Sequence, residues 1–330
     1  VLVQNGTQFI EQAGESPAFV KIDAVASSAP NDIWGVGKGG RIVQWDGREW
    51  LPHLGVAADD LTAVHTAGPH DVWAIGVRGT ILHFDGQRWN RVPSGTDMDL
   101  GDIFATSPRE LDIVGVRRAL DKDDDRARGV ILHYDGRRWT RQEDYVHSWY
   151  RIFGKGSEAL FLSGDDLTVR AHRGAGGTRS WQAVPAAPIG RYLVLGKEDI
   201  WVLADDGLFH LEGEHWREVA HQPPNSKRLF VLRPDLAFSA QGARTLTCFD
   251  GTLFHEVDPG AQDELNDIWG ISGSDLWVVG KRAELLHFDG KGWRRERLHS
   301  SDDLERILAF GPSDILVYGE QLLHFDGSRW

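Results

Sequence analysis

Short runs of alternating apolar and polar residues, cut by Gly-containing turns, recur along the whole chain. Residues 42–50 (IVQWDGREW), 81–89 (ILHFDGQRW), 131–139 (ILHYDGRRW), 285–293 (LLHFDGKGW) and 322–330 (LLHFDGSRW) are near copies of one segment. Alternation with period two describes a half-buried strand. Asp-Gly between two such runs predicts a hairpin, because Gly tolerates the positive φ of a tight turn. Upstream stands a second recurrent piece: Asp32-Ile33-Trp34-Gly35-Val36-Gly37, Asp71-Val72-Trp73-Ala74-Ile75-Gly76, Asp199-Ile200-Trp201-Val202 and Asp275-Leu276-Trp277-Val278-Val279-Gly280. A further strand precedes it, as at residues 61–67, 265–271 and 304–310. The unit is therefore four strands, a to d.

Weaker copies of the c–d piece lie at residues 208–216, 246–254 and 1–9, and a degenerate one ends at Trp181. The closing aromatics are 35 to 50 residues apart. A period near forty is that of a four-stranded propeller blade, and no segment of useful length has a helical period. The expected fold is all-β: a single β-propeller domain over residues 1–330, with four-stranded antiparallel blades. Eight blades are expected, with seven or nine as neighbouring counts. Eight a–b pairs face nine c–d pieces, so the N- and C-terminal strands are expected to close the ring.

The pattern D-x-W-x-x-G … H-[FY]-D-G-x-x-W resembles the tryptophan-rich bacterial β-propeller repeats related to the tectonin, kelch and Asp-box groups, over essentially the whole chain. The kelch Gly-Gly pair is echoed at Gly39-Gly40, the Asp-box turn is here one residue shorter, and the Gly-His and Trp-Asp pairs of WD40 repeats are not reproduced. The resemblance implies binding proteins (lectins, scaffolds, adaptors), with enzymes a minority.

A net charge of −13 argues against general affinity for nucleic acid or anionic membranes. The single Cys248 excludes internal disulfides and reads as an inert buried thiol. No apolar run approaches the ~18 residues of a membrane span, and no signal peptide is visible. The expected protein is soluble, with the cytoplasm favoured. Because the sequence starts at Val1, an upstream segment is left open.

Motifs for catalysis or cofactor binding (G-x-S-x-G, HExxH, a P-loop, a dinucleotide fingerprint) are absent, so no catalytic residue and no cofactor are assigned. The repeated indoles Trp34, Trp73, Trp201 and Trp277, with Trp50, Trp89, Trp139, Trp216 and Trp293, are expected to wedge blades together. His83, His133, His210, His287 and His324 share one strand-c position, too dispersed around a ring to hold a metal. They are expected to be hydrogen-bond partners, with the turn Asp as candidate acceptor. Asp121, Asp123 and Asp125 begin like a calcium loop, but Arg126 and Leu132 stand where Gly and Glu are needed. Residues 117–129 (RRALDKDDDRARG) are instead an insertion between strands b and c. Arg117, Arg118, Asp123, Arg126 and Arg128 are its candidate partner contacts.

Function in a repeat protein is sought where repeats diverge. One strand-a position reads, blade by blade, Ala24, Ala63, Asp102, Arg151, Arg191, Arg228, Asp267 and Arg306, each followed by an apolar or aromatic residue. With period two, this variable row is expected at the central channel, where the Arg arc flanked by Asp102 and Asp267 suits an anionic group or an acidic peptide. The alternative is that Arg and Asp pair across blades. Acids at Asp59-Asp60, Asp97, Asp99, Asp263-Glu264 and Asp302-Asp303 lie on the same face as bases at Lys38, Arg78, Arg117-Arg118, Arg244 and Lys281-Arg282, an arrangement suited to docking. The function expected first is a non-catalytic scaffold that docks a protein partner through this face and the channel mouth. A carbohydrate-binding lectin-like propeller is the alternative. A hydrolase or lyase using Asp102, Arg151 and Asp267 at the channel mouth is a second one.

Overall fold

The computed structural model describes residues 2–5, 8–11, 22–29, 31–68, 70–107, 109–117, 128–154, 160–164, 168–173, 179–183, 190–194, 200–204, 207–212, 215–221, 228–233, 235–240, 242–298, 300–319 and 322–330. The Asp-Gly signal is realised as expected: Gly47, Gly86, Gly136, Gly290 and Gly327 have φ between +84° and +92°. The Asp before each Gly closes the turn. Asp85 Oδ1 accepts from the Gln87 N–H at 3.0 Å and the Arg88 N–H at 2.9 Å, and Asp46, Asp135, Asp289 and Asp326 repeat this. The side chain thus replaces backbone acceptors that a two-residue turn lacks.

Seven four-stranded sheets and one three-stranded sheet make eight blades, with antiparallel strands in chain order. Blades 1 to 8 span residues 22–52, 61–91, 99–144, 149–183, 190–221, 228–257, 265–295 and 304–325. The molecule is an eight-bladed β-propeller. Successive a strands pack on one another, and blade 8 meets blade 1 in a core of Leu316, Tyr318 and Leu322 against Ile22, Ile33 and Val43. The N-terminal copy of the c–d piece forms a hairpin, Leu2–Asn5 with Gln8–Glu11, paired with itself. In blade 8, strand c (Leu322–Phe325) is the last described strand of its sheet. No helix among the described residues is long and apolar enough to cross a membrane.

The indoles of strand b are wedges. Trp34 of blade 1 lies 4.9 Å from Phe84 and 5.4 Å from Trp89 of blade 2. Trp73 reaches Tyr134 and Trp139 of blade 3, both at 5.9 Å, and Trp277 reaches Phe325 and Trp330 at 6.0 and 5.8 Å. Such aromatic pairs add about 0.5–1.5 kcal/mol each beyond the area they bury. Register places Trp34, Trp73, Asp112, Phe161, Trp201, Phe238, Trp277 and Leu316 in equivalent slots. Seven slots are apolar. Blade 3 alone holds a carboxylate.

Candidate functional site

The repeated polar residues are committed to the fold. Asp71 Oδ1 accepts from Trp73 Nε1 at 3.0 Å and lies 2.9 Å from His83 Nε2, while the His83 ring stacks on Trp73 at 4.0 Å. Asp275, Trp277 and His287 repeat this at 3.0 and 2.8 Å. His133 and His324 meet Asp112 and Asp314 at 2.9 and 2.6 Å. These four imidazoles are thus tied to a carboxylate of strand b and not to the turn Asp, which is spent on its own backbone, whereas His210 lies 3.6 Å from Glu212, the turn acid of its own copy. Strands b and c are paired neighbours, so their side chains stand together on one face. Among the described residues no group of three or more His, Cys, Asp or Glu side chains could hold a metal ion. Cys248 is half-buried, and burial pushes its thiol up.

Much of the charge expected to form a docking face is paired within the ring. Asp60, Asp99 and Asp303 each accept, through Oδ1, the backbone N–H of the b–c turn of the preceding blade, at Gly39 (2.8 Å), Arg78 (3.0 Å) and Arg282 (2.9 Å). The guanidiniums of Arg78 and Arg282 hold Asp59 and Asp263, Lys281 Nζ lies 2.7 Å from Glu264, and Arg117 lies 3.1 Å from Asp97. Arg78 and Arg282 have φ of +53° and +52°, a left-handed conformation that these bonds hold in place. The ion pairs tie the b–c turn to the connection entering the same blade, while the Asp that accepts a backbone N–H from the preceding blade clasps the two blades together.

The variable row occupies one register. Ala24, Ala63, Asp102, Arg151, Arg191, Arg228, Asp267 and Arg306 stand opposite Val36, Ile75, Val114, Ser163, Leu203, Ala240, Val279 and Tyr318. Arg191 and Arg228 are in their strands, but their side chains lie outside the described residues. So do Arg118, Asp123 and Arg126 of the insertion; Arg117 and Arg128 flank it, joined by an Arg117 N–H to Arg128 O bond of 2.9 Å. In six of the eight a strands a bulge immediately precedes this row, re-aiming its side chains.

Asp102 and Asp267 perform the same task at two junctions. The Ile103 and Ile152 N–H groups donate to Asp102 Oδ1 and Oδ2 at 3.0 and 3.1 Å. The Ile268 and Ile307 N–H groups donate to Asp267 Oδ1 and Oδ2 at 3.0 and 3.2 Å. Each carboxylate therefore spans two blades, 3 to 4 and 7 to 8. Burial pushes the Asp102 carboxyl up to about 6, against the pull of Arg151 and the two N–H donors. Arg151 Nη1 stands 3.9 Å from Asp102 Oδ2, with its side chain 70% exposed.

Beside Arg151 lies a feature without a counterpart in the sequence expectations. Between strand d of blade 3 (Trp139–Asp144) and strand a of blade 4 (Trp149–Gly154), Asp144 Oδ1 accepts from the Val146 and His147 N–H groups at 2.8 and 2.9 Å. Asp144 Oδ2 lies 3.2 Å from His147 Nδ1. Behind this turn Trp149 is 3% exposed, at a position held by Leu61, Leu100, Leu265 and Leu304 elsewhere. A Cβ on Gly129 would meet His147 O at 2.5 Å, so the insertion leaves its strand flush against the turn. The turn holds Tyr145 59% and Val146 68% exposed, and Tyr150 is 45% exposed. Among the described residues, three of the six exposed large apolar side chains fall in this stretch, which makes a patch of them. The available signal was an Asp two residues before Val146, the spacing at which its side chain can accept from the backbone of a turn.

No family model matches the sequence, and no curated protein matches it. Solved structures do match in fold. YCF48 bound to a D1 peptide gives a TM-score of 0.59 at 16% identity, covering 94% of each chain. Sqt1 from Chaetomium thermophilum gives 0.64 at 12% identity, covering 94% of this chain and 96% of that one. The C-terminal WD40 domain of Sif2 gives 0.55 at 10% identity, covering 93% and 95%. Its structural neighbours are WD40- and YCF48-type β-propellers. Identities this low carry the fold and nothing finer.

Proposed function

We propose that the chain is a non-catalytic scaffold that docks a protein partner through the face of its b–c and d–a connections, at the blade 3–4 junction. The observation that carries this is the 144–147 turn. A rigid hydrogen-bonded loop over a buried Trp presents Tyr145 and Val146 to solvent, beside Tyr150 and Arg151. Pre-organised aromatic and Arg side chains are the groups that dominate interface energies. The insertion at residues 117–129 belongs to blade 3, and the row of Arg151 continues around the ring through the register positions of Arg191 and Arg228. That a propeller of this fold, YCF48, was solved with a peptide bound agrees with such a use. The buried strand-b indoles weigh against a lectin, which needs its aromatics exposed as stacking platforms.

The test is quantitative affinity capture followed by sizing of the complex, comparing wild type with Tyr145→Ala/Val146→Ser. A stoichiometric complex that the double variant loses at unchanged melting temperature supports the docking surface. A complex indifferent to these substitutions places the surface elsewhere.

A further inference from the structure

Asp102–Arg151 and Asp267–Arg306 occupy the same register four blades apart, so they are one device built twice. What differs is the residue across the strand. Arg306 faces Tyr318, a buried side chain to which it hydrogen-bonds, and it also lies 3.5 Å from Glu305 O. Arg151 faces Ser163, which is too short to reach along a guanidinium. Its described carboxylate neighbour, Asp102, already gives one oxygen to each of two backbone N–H groups and comes no closer than 3.9 Å. Elsewhere on this face the bases of the b–c turns are held closely, as Arg117 is by Asp97 at 3.1 Å and Lys281 by Glu264 at 2.7 Å. Arg151 therefore presents a planar fork of donors whose geometry suits a carboxylate.

We propose that Arg151 is a carboxylate-binding subsite and that the partner segment docking at the blade 3–4 junction is an acidic peptide. A Glu or Asp of that segment takes the Arg151 guanidinium, and an apolar side chain close to it packs on Tyr145 and Val146. The Tyr145 hydroxyl donates to Glu143 Oε2 at 3.1 Å, so the ring, not the hydroxyl, is offered to the partner. Arg128, exposed at the foot of the insertion, extends the basic rim. A chain of net charge −13 repels acidic polymers at long range, so an acidic segment that binds does so through a specific close pair. The apolar half of this proposal rests on the docking surface above; the carboxylate half does not.

The experiment measures binding of two fluorescent hexapeptide libraries, one with a fixed Glu two residues from a fixed Leu, the other with Gln in place of Glu. Wild type is expected to prefer the Glu library by about tenfold, the size of one charge-assisted hydrogen bond. Arg151→Gln is expected to erase that preference, Arg151→Lys to keep part of it, and Arg306→Gln to leave it intact. Equal binding of both libraries, binding of neither, a preference that survives Arg151→Gln, or one that Arg306→Gln removes overturns the subsite. An Arg151-dependent preference accompanied by affinity for both libraries that Tyr145→Ala/Val146→Ser leaves unchanged keeps the subsite and sinks the docking turn.

Discussion

The blade 3–4 and 7–8 junctions start from the same plan and end in different chemistry. Each has an Asp that spans two blades through backbone N–H groups, and each places an Arg on the next blade at the same register. At 7–8 the wedge slot holds Trp277, Tyr318 engages Arg306, and the connection carries Asp302 and Asp303, of which Asp303 accepts the Arg282 N–H. At 3–4 the wedge slot holds Asp112, Ser163 leaves Arg151 extended into solvent, and the connection becomes the turn that displays Tyr145 and Val146. Glue and recognition thus draw on the same positions of the repeat. A cation becomes available where its cross-strand neighbour shrinks.

The largest expected effect attacks the wedge. Trp277→Ala should cost about 3–5 kcal/mol, as for any large buried aromatic, whereas Asp112→Ala should cost about 1–3 kcal/mol by orphaning His133. Urea unfolding of the two variants decides this, and equal costs mean that the junctions are not built differently.

The Asp bridges come next, through their dependence on pH. Asp102 has a native pKa raised to about 6 from an ordinary 3.8. Between these values the native state binds more protons than the unfolded chain, so this group adds stability as pH falls from 7 towards 4 and withdraws it as pH rises. The full swing is at most about 3 kcal/mol. Wild type measured against Asp102→Ala should therefore gain stability relative to the variant on acidification through this window. A difference that stays flat from pH 7 to pH 4 contradicts the burial of that carboxyl.

The smallest effect is the most informative about recognition. Ser163→Tyr should recreate at blade 4 the partner that Arg306 has in Tyr318, withdrawing the Arg151 fork. Preference for the Glu library should fall about tenfold, the worth of the charge-assisted contact, and because Ser163 is buried the added ring should also cost about 1–3 kcal/mol in urea unfolding. Undiminished preference would show that the cross-strand residue does not govern the availability of the guanidinium.

The blades were legible because Asp-Gly turns and period-two alternation are local: residues 42–50 and 81–89 specify a hairpin without reference to anything distant. The register of the row from Ala24 to Arg306 was legible for the same reason, since counting back from D-x-W is counting along one paired strand. What escaped is contact between strands and between blades. His83 lies two residues from Asp85 in sequence but bonds Asp71, 12 residues away, because strand pairing sets the acceptor. The acids and bases of one face look like a docking pattern until the clasp is seen. The same separation of 21 residues between Gly39 and Asp60, Arg78 and Asp99, and Arg282 and Asp303 was the unused clue. The turn at Tyr145 escaped because nothing repeats there.

Asp112 also bears on how such a wheel can acquire a new use. Each junction carries its own wedge, so exchanging one wedge for a carboxylate leaves seven others in place to keep the ring round. The insertion, the exposed turn and the solvent-facing Arg151 guanidinium all lie at that one seam, while the other seven joints keep their apolar wedges.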